Sequence, residues 1–191
     1  LISIDTRHHE VARAALDAGA SMVNDVSGLR DEYMFNLIIE RGVAVCVMHM
    51  QGDPKSMQDN PTYDDALLDI YDFLEERVAT CEKAGIPRAR LIVDPGIGFG
   101  KTVDHNVEIM CSLALYQGLG AAVMLGASRK IFIARLSAGE PAGARLAGSL
   151  AAALWGLSAG VQIVRVHDVA ETRQALAVWR ALSDSPAAGT P

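Results

Sequence analysis

Six short apolar runs, each followed by an amphipathic stretch, constrain the fold of this chain more than any other feature. The runs cover residues 1–4, 22–23, 43–48, 91–93, 121–125 and 163–166. They are continuously apolar rather than alternating, which is typical of parallel strands covered on both faces. Six βα units in succession, with no linker or change in composition between them, predict one α/β domain built on a parallel sheet.

The stretches between the strands predict helices. We place them at about 7–17, 31–40, 64–83, 103–116, 130–136, 143–158 and 169–182. The clearest is the third, in which Ile70, Leu74 and Val78 recur at helical spacing. The apolar segment 146–157 is predicted to be a buried helix, too short to span a bilayer. The inner face of the last helix is predicted to carry Val169, Thr172, Leu176 and Trp179.

A parallel sheet of this kind is either an open doubly wound sheet or a barrel. The dinucleotide fingerprint G-x-G-x-x-G is absent, which disfavours the open sheet. A barrel has eight strands and typically about 250 residues, whereas this chain has 191 residues and opens at Leu1 on sequence typical of a strand interior. We therefore predict a TIM (β/α)8 barrel with six of its eight βα units here and the N-terminal part missing. The barrel domain is predicted over 1–183, and a disordered tail over 184–191.

The charge balance and the cysteines indicate which binding partners and which cellular compartment to expect. The chain has 17 basic and 23 acidic residues, which argues against a nucleic-acid partner because such proteins need clustered Lys and Arg. It has no apolar stretch of membrane-spanning length and no signal peptide, so we expect no membrane partner and a cytoplasmic location. Cys46, Cys81 and Cys111 fit no metal-ligand spacing and are expected to be reduced, mostly buried thiols.

Polar residues follow every predicted strand. In chain order they are Asp5 and Thr6; Asn24 and Asp25; His49; Asp94; Ser128, Arg129 and Lys130; and Arg165, His167 and Asp168. A single polar strand end is ordinary, but six of them with acids, an amide and bases indicate a functional rim, and in barrels that rim is the catalytic face. Arg165 and His167 are two residues apart and should point to the same side, as should Met22 and Asn24.

Several of these residues also have a purely structural interpretation. Asp5 precedes a helix and can be an N-cap as readily as a ligand. Asn24 and Asp94 can bond local backbone in turns, and Asp25 is not assigned to any ligand. His49 lies between two methionines and fits a packed histidine better than a base.

The cations are harder to explain in this way. Arg129 and Lys130 lie at a helix start, where the helix dipole disfavours positive charge. A functional role is therefore favoured over that of simple surface charges. Arg165 at an apolar strand end needs an anionic partner, and no acid near it in sequence is an obvious candidate.

The glycine-rich segment 95–102 is not a nucleotide-binding loop. Gly96 and Gly100 enclose three residues, whereas a P-loop needs four, and the segment also fails G-x-G-x-x-G. What remains is a loop after a strand that carries Phe99 and allows backbone to approach a flat ligand.

These motifs resemble the dihydropteroate synthase family of the folate pathway, the family that sulfonamides target, over nearly the whole chain. The matching segments are 4–6, 23–25, 48–52 with Met57 and Gln58, 94–101, 128–130 and 165–168. The resemblance implies that p-aminobenzoate is joined to (7,8-dihydropterin-6-yl)methyl diphosphate, giving dihydropteroate and diphosphate. The implied mechanism is SN1-like: diphosphate leaves first, and the aniline nitrogen traps a pterin methylene cation.

The resemblance also implies roles for individual residues. The pterin would be bound by Asp5, Asn24, Met48, Asp94 and Lys130, the diphosphate by Arg165 and His167, and p-aminobenzoate by Phe99, Ser128 and Arg129. The catalytic residues would be Asp94, Lys130, Arg165 and His167.

Further expectations follow from the family. It implies Mg²⁺, held by an Asn of an early segment that this sequence lacks, so no protein metal ligand is assigned here. It also implies a homodimer. Two alternatives to a synthase stay open: a truncated or degenerate pterin-binding barrel without activity, and a barrel methyltransferase acting on methyltetrahydrofolate. The segments 128–130 and 165–167 favour the synthase.

Overall fold

The computed structural model describes residues 1–52 and 56–183, so the predicted tail over 184–191 lies outside the described residues. The strands are β1 (Ser3–Asp5), β2 (Met22–Asp25), β3 (Ala44–Met48), β4 (Leu91–Asp94), β5 (Ala122–Leu125) and β6 (Ile163–Val164). The helices are α1 (His9–Asp17), α2 (Glu32–Arg41), α3 (Ala66–Lys83), α4 (Val103–Cys111), α5 (Ile131–Leu136), α6 (Leu146–Ser158) and α7 (Val169–Ser183). Short 3-10 helices cover Arg88–Arg90, Leu113–Leu119 and Ala142–Ala144.

The six strands form one parallel sheet in the order β1-β2-β3-β4-β5-β6. The sheet is curled, since a hydrogen bond between Asp5 and Arg165 joins the ends of its first and last strands. Strands in sequential order, each followed by a helix on the outer side, are the architecture of a (β/α)8 barrel. The predicted fold class is therefore confirmed, with six βα units among the described residues.

The core has an outer and an inner layer. The outer layer packs the helices against one face of the sheet and includes Val23, Val45, Val93 and Val123. The inner layer lies inside the curve of the sheet and has Cys46, Ile92 and Met124 at its centre, with Met22, Ala122 and Ile163 packed against them. This division follows from strand alternation, since successive side chains point to opposite faces.

The starts of α2, α3 and α4 follow ordinary capping chemistry. Asp31 caps α2 by accepting from the Met34 N–H, and Asp65 caps α3 by accepting from two backbone N–H groups. Thr102 and His105 form a reciprocal capping box at the start of α4. This last cap fixes the end of the glycine-rich loop that follows β4.

Two predictions about helix faces are wrong. Val169 is 56% exposed, although Thr172 of the same predicted inner face is buried. The segment 146–157 is predicted to be a buried helix, but α6 buries one face only, and Trp155 is 54% exposed. Mean apolarity alone cannot distinguish a helix buried on all sides from one with an apolar outer surface.

Candidate active site

The carboxyl ends of the strands bring polar side chains together inside the curved sheet. Asp5 of β1 is in register with Asn24 of β2, and Met48 of β3 is in register with Asp94 of β4. Because residues two apart share a face, these residues point to the same side as Cys46 and the inner apolar layer. The predicted rim therefore lies at one end of the barrel wall, over an apolar floor.

A first cluster joins β1, β2 and β6. Asn24 Nδ2 donates to Asp5 Oδ2 at 3.2 Å, and Arg165 Nη2 donates to the same oxygen at 2.6 Å. The N-cap interpretation of Asp5 is wrong, because α1 has its N-cap at His8, without a side-chain cap bond. The Oδ1 atom of Asn24 is buried and has no hydrogen-bond partner among the described residues. A buried acceptor of this kind is costly unless something donates to it.

A second cluster surrounds Asp94, which is only 5% exposed. Its Oδ1 accepts from the Gly96 N–H at 2.7 Å, so Asp94 starts the turn that opens the glycine-rich loop. Burial raises the pKa of Asp94 to about 6, against the opposing effects of that hydrogen bond and of the cations Lys130, Lys101 and Arg165. Lys130 Nζ lies 4.0 Å from the centre of the Phe99 ring. Burial lowers the pKa of Lys130, and the nearby Asp94 charge raises it.

A third cluster joins the loops that follow β5 and β6. His167 Nδ1 lies 3.0 Å from Ser128 Oγ, and its backbone N–H donates to the same oxygen. Arg129 Nε donates to Asp168 at 3.0 Å, and a second guanidinium nitrogen completes a bidentate pair. Arg129 has a left-handed backbone at φ 58°, and its N–H donates to the buried Ser149 hydroxyl. The bond to Arg129 lowers the pKa of Asp168.

Met48 completes the lining beside Asp94. It is 3% exposed, and its Cγ would lie 3.3 Å from a Cβ placed on Gly96. Gly96 itself has φ +72°, and a Cβ there would lie 2.0 Å from the carbonyl oxygen of His49. A larger residue at this position would force the backbone to shift, so glycine is what allows the loops after β3 and β4 to lie in contact.

Other residues fix the glycine-rich loop and were not assigned from the sequence. Gln58 donates to the carbonyl of Gly98, and Tyr63 donates to that of Gly100. Asn106 of α4 accepts from the Gly98 N–H at 2.7 Å. Gln58 lies in a segment that matches the family; Tyr63 and Asn106 carry no motif signal, because their partners are reached only in the folded chain.

Lys101 is the main residue that sequence reasoning missed. It is 3% exposed, and its Nζ lies 3.0 Å from His49 Nδ1 and 3.0 Å from the Phe99 carbonyl oxygen. His49 is packed between Phe73 and Tyr63, as a structural histidine should be. Lys101 ends the segment 94–101 that matches the family, but no role was assigned to it, because a lysine directly after a glycine-rich loop has the pattern of an exposed turn residue.

An apolar cavity lies away from the strand ends. A cavity of about 530 Å³ lies on the outer helical surface, between α4, α5 and α6, next to Phe132 and Trp155. Its lining is mostly apolar, and the polar members Ser137, Glu140 and Arg145 bond to one another or to nearby backbone. A small-ligand site usually has convergent polar groups that fix the orientation of the ligand. In residues 1–52 and 56–183, no group of three or more His, Cys, Asp or Glu side chains is placed to hold a metal ion. The same ranges contain no helix long and apolar enough to cross a membrane.

Comparison with known proteins decides the family. The model of the family described as pterin binding enzyme matches residues 1–167. The chain belongs to the pterin binding enzyme family. A curated relative, the dihydropteroate synthase of Escherichia coli strain K12, is 41% identical over 180 residues, which cover 94% of this chain and 64% of that protein.

Solved structures of this family share the fold. The dihydropteroate synthase from Thermus thermophilus in complex with 4-aminobenzoate superposes with a TM-score of 0.90 at 44% identity, over 94% of this chain and 70% of that one. The enzyme from Xanthomonas albilineans in complex with 7,8-dihydropteroate gives a TM-score of 0.90 at 42% identity, over 96% of this chain and 67% of that one. The three polar clusters of this pterin binding enzyme chain lie within the matched residues, except for Asp168.

Proposed function

We propose that the protein containing this chain is a dihydropteroate synthase, which joins p-aminobenzoate to (7,8-dihydropterin-6-yl)methyl diphosphate. The observation that carries the proposal is the buried Oδ1 atom of Asn24, which has no hydrogen-bond partner within residues 1–52 and 56–183. It lies beside the carboxylate of Asp5, in a chain of the pterin binding enzyme family. Relatives with this name have been solved with 4-aminobenzoate and with 7,8-dihydropteroate. The chain spans 64% of the length of the Escherichia coli relative.

Pterin recognition is assigned to the buried polar groups. A pterin edge offers several donors and acceptors in one plane. The carboxylates of Asp5 and Asp94 accept from its N–H groups, while the Asn24 amide can donate and accept. Lys130 donates to a ring acceptor, and Met48 lies against the ring as apolar surface. A wrong ligand would leave these buried groups unpaired, which gives strong discrimination.

Diphosphate binding is assigned to Arg165 and His167. Arg165 is half-exposed at the mouth, where its guanidinium can present a forked set of donors to phosphate oxygens. His167 adds a donor two residues along the chain, in the same loop after β6. The pair faces the region where negative charge accumulates as the leaving group departs.

The second substrate is assigned to the loops after β4 and β5. Phe99 offers an aromatic face, and Ser128 and Arg129 provide polar groups for p-aminobenzoate. In the proposed SN1-like step, the C–O bond breaks with both electrons going to diphosphate, and the aniline nitrogen then bonds to the pterin methylene carbon and loses a proton. Asp94 stabilises the cation, and Arg165 with His167 stabilises the anion. Positioning of the aniline nitrogen supplies the remaining rate enhancement.

Magnesium is proposed to arrive with the diphosphate. The described residues do not form a carboxylate or histidine cluster that fits a metal on its own. Mg²⁺ in proteins usually keeps several waters and is bound through one or two carboxylates together with substrate phosphates. No step of the proposed reaction depends on it here.

Assembly and location are also proposed from the resemblance. We propose a cytoplasmic homodimer that has neither a nucleic-acid nor a membrane partner. Sedimentation of the purified protein tests the oligomeric state, and a monomer at micromolar concentration would contradict it.

A turnover assay tests the function. The purified protein is mixed with pterin diphosphate, with and without p-aminobenzoate, and diphosphate release is measured. Release that depends on p-aminobenzoate supports the synthase. Pterin binding without release would instead favour a pterin-binding protein, and methyl transfer from methyltetrahydrofolate would favour the methyltransferase alternative.

A further inference from the structure

Two buried basic side chains meet behind the carboxylate of Asp94. Lys101 Nζ and His49 Nδ1 lie 3.0 Å apart, and both residues are at least nine-tenths buried. Burial lowers the pKa of His49 to about 3, with the charges of Lys101 and Arg30 acting in the same direction. His49 is therefore neutral, and its Nδ1 can accept a hydrogen bond from the Lys101 ammonium group.

Hydrogen bonds tie this pair to the backbone of Asp94 on one side and of Phe99 on the other. The His49 N–H donates to the Asp94 carbonyl oxygen at 3.0 Å. Lys101 Nζ donates to the Phe99 carbonyl oxygen, also at 3.0 Å. The Phe99 ring in turn lies under Lys130 Nζ at 4.0 Å. The contacts therefore run from β3 through Lys101 to the aromatic ring and the lysine of the second cluster.

We propose that Lys101, held by His49, is a positioning residue of the pterin site. It fixes the loop after β4 so that Phe99 and Lys130 stay beside Asp94, and it supplies a second cation behind that carboxylate. This inference rests on the proposed function, because it assigns Lys101 to pterin binding through Asp94 rather than to contact with the ligand.

The positive charge of Lys101 shifts the protonation equilibrium of Asp94 in one direction. Asp94 faces Lys130, Lys101 and Arg165, and the thiol of Cys46, which burial keeps protonated. Lys101 faces Asp94 and Lys130, and burial lowers its pKa to about 7. Below neutral pH the charged Lys101 therefore favours the carboxylate form of Asp94, the form that accepts from a pterin N–H. Removing that charge raises the pH at which pterin binding is lost.

Fluorescence titration with 6-hydroxymethylpterin, without p-aminobenzoate, tests this between pH 5 and pH 8. We expect Lys101→Met to weaken binding at pH 6 by tenfold or more, and to move the midpoint of the pH profile upward by about one unit. Lys83→Met, at an exposed position in the last turn of α3, is the matched control and should behave as wild type. Circular dichroism at each pH checks that the variants are folded.

Variants at His49 separate positioning from charge. Asn keeps an acceptor near the place of Nδ1, so His49→Asn should retain binding within about threefold of wild type, whereas His49→Leu should weaken it about tenfold. An unchanged pH profile for folded Lys101→Met overturns the proposal, as does equal binding by the two His49 variants. If wild type binds no pterin at any pH, the proposed function fails instead.

Discussion

Arg165 at the end of the last described strand donates to Asp5 at the end of the first, at 2.6 Å. The two residues are 160 positions apart, and β1 and β6 are not paired in the sheet. The contact crosses the mouth of the barrel and brings the groups assigned to diphosphate and to pterin onto one carboxylate. Asp5 therefore holds the guanidinium in place before an anion arrives.

Replacing Arg165 should act mainly on the diphosphate-bearing substrate. We expect Arg165→Ala to raise KM for the pterin diphosphate by roughly tenfold or more, since hydrogen bonds to charged groups contribute about 1.5–3 kcal/mol. Binding of 6-hydroxymethylpterin, which has no diphosphate, should change less than about threefold. Arg180→Ala, on the exposed side of α7, is the control. Unchanged steady-state kinetics for Arg165→Ala would remove its anion-binding role.

Replacing Asp94 should separate binding from stability. Asp94→Asn keeps an acceptor for the Gly96 N–H but removes the buried charge, so pterin binding should be abolished while the fold persists. A pKa raised to about 6 means that the ionised carboxylate destabilises the folded state at neutral pH. Denaturant unfolding at pH 7.5 should therefore show a gain of roughly 2–3 kcal/mol. Asp72→Asn, exposed on α3, should give neither effect; wild-type pterin affinity in Asp94→Asn contradicts the assignment.

The same carboxyl group predicts the pH dependence of the wild-type protein. Between pH 4 and pH 6 the folded state holds a proton on Asp94 that the unfolded state has released, so this group's contribution to stability falls as the pH rises. Pterin affinity should change in the opposite direction and weaken, by up to about tenfold per unit, as the pH falls below about 6. Isothermal titration calorimetry across this range measures the affinity, and a flat profile from pH 5 to pH 8 would exclude Asp94 as the controlling group.

Substitution of Gly96 should cost more stability than substitution of another glycine with positive φ. A Cβ at Gly96 meets the His49 carbonyl oxygen at 2.0 Å, whereas one at Gly139 meets nothing within 4 Å, and both glycines have positive φ. We expect Gly139→Ala to cost about 1 kcal/mol, the ordinary penalty of that backbone region. Gly96→Ala should cost about 3 kcal/mol or more, because backbone must move. Thermal unfolding measures both, and equal costs would show that the loops after β3 and β4 separate easily.

Replacing Asp168 should weaken the binding of p-aminobenzoate and leave pterin binding unchanged. Its bidentate pair holds the Arg129 side chain and so fixes the loop assigned to p-aminobenzoate. Asp168→Asn should raise KM for p-aminobenzoate several-fold, with pterin binding in its absence unchanged. Arg129→Ala should have a similar effect, and the double variant should lose little more, since the two residues act as a unit. Additive losses would show that they act separately.

Local patterns predict the fold well where periodicity is strong. The helix predicted over 64–83 is observed as Ala66–Lys83, and all six predicted strands are present. The segment 103–116 is predicted as one helix, but α4 ends at Cys111 and a 3-10 helix follows. Exposure is harder to predict: the outward position of Val169 depends on how α7 packs against its neighbours, which no short window of sequence contains.

The sequence predicts which polar residues lie at the strand ends of the candidate site, but it does not predict the hydrogen bonds between them. Alternation along the strands indicates that Asn24 and Asp94 face the same side. It cannot indicate that Arg165 finds its partner in Asp5, because that contact depends on closure of the curved sheet. Lys101 escapes prediction for the same reason, since its acceptor His49 is supplied by a different strand.

Cys46 gives this site a built-in spectroscopic reporter. Its thiol lies in the inner layer, 3.9 Å from the Met124 sulfur, and burial raises its pKa well above the ordinary value, so it stays protonated. The charges of Asp94, Asp5 and Arg165 all act on it. The S–H stretch absorbs in an infrared window that contains only the thiol bands of Cys46, Cys81 and Cys111. In a variant without Cys81 and Cys111, the Cys46 frequency would record changes in the electric field of the site without any foreign label.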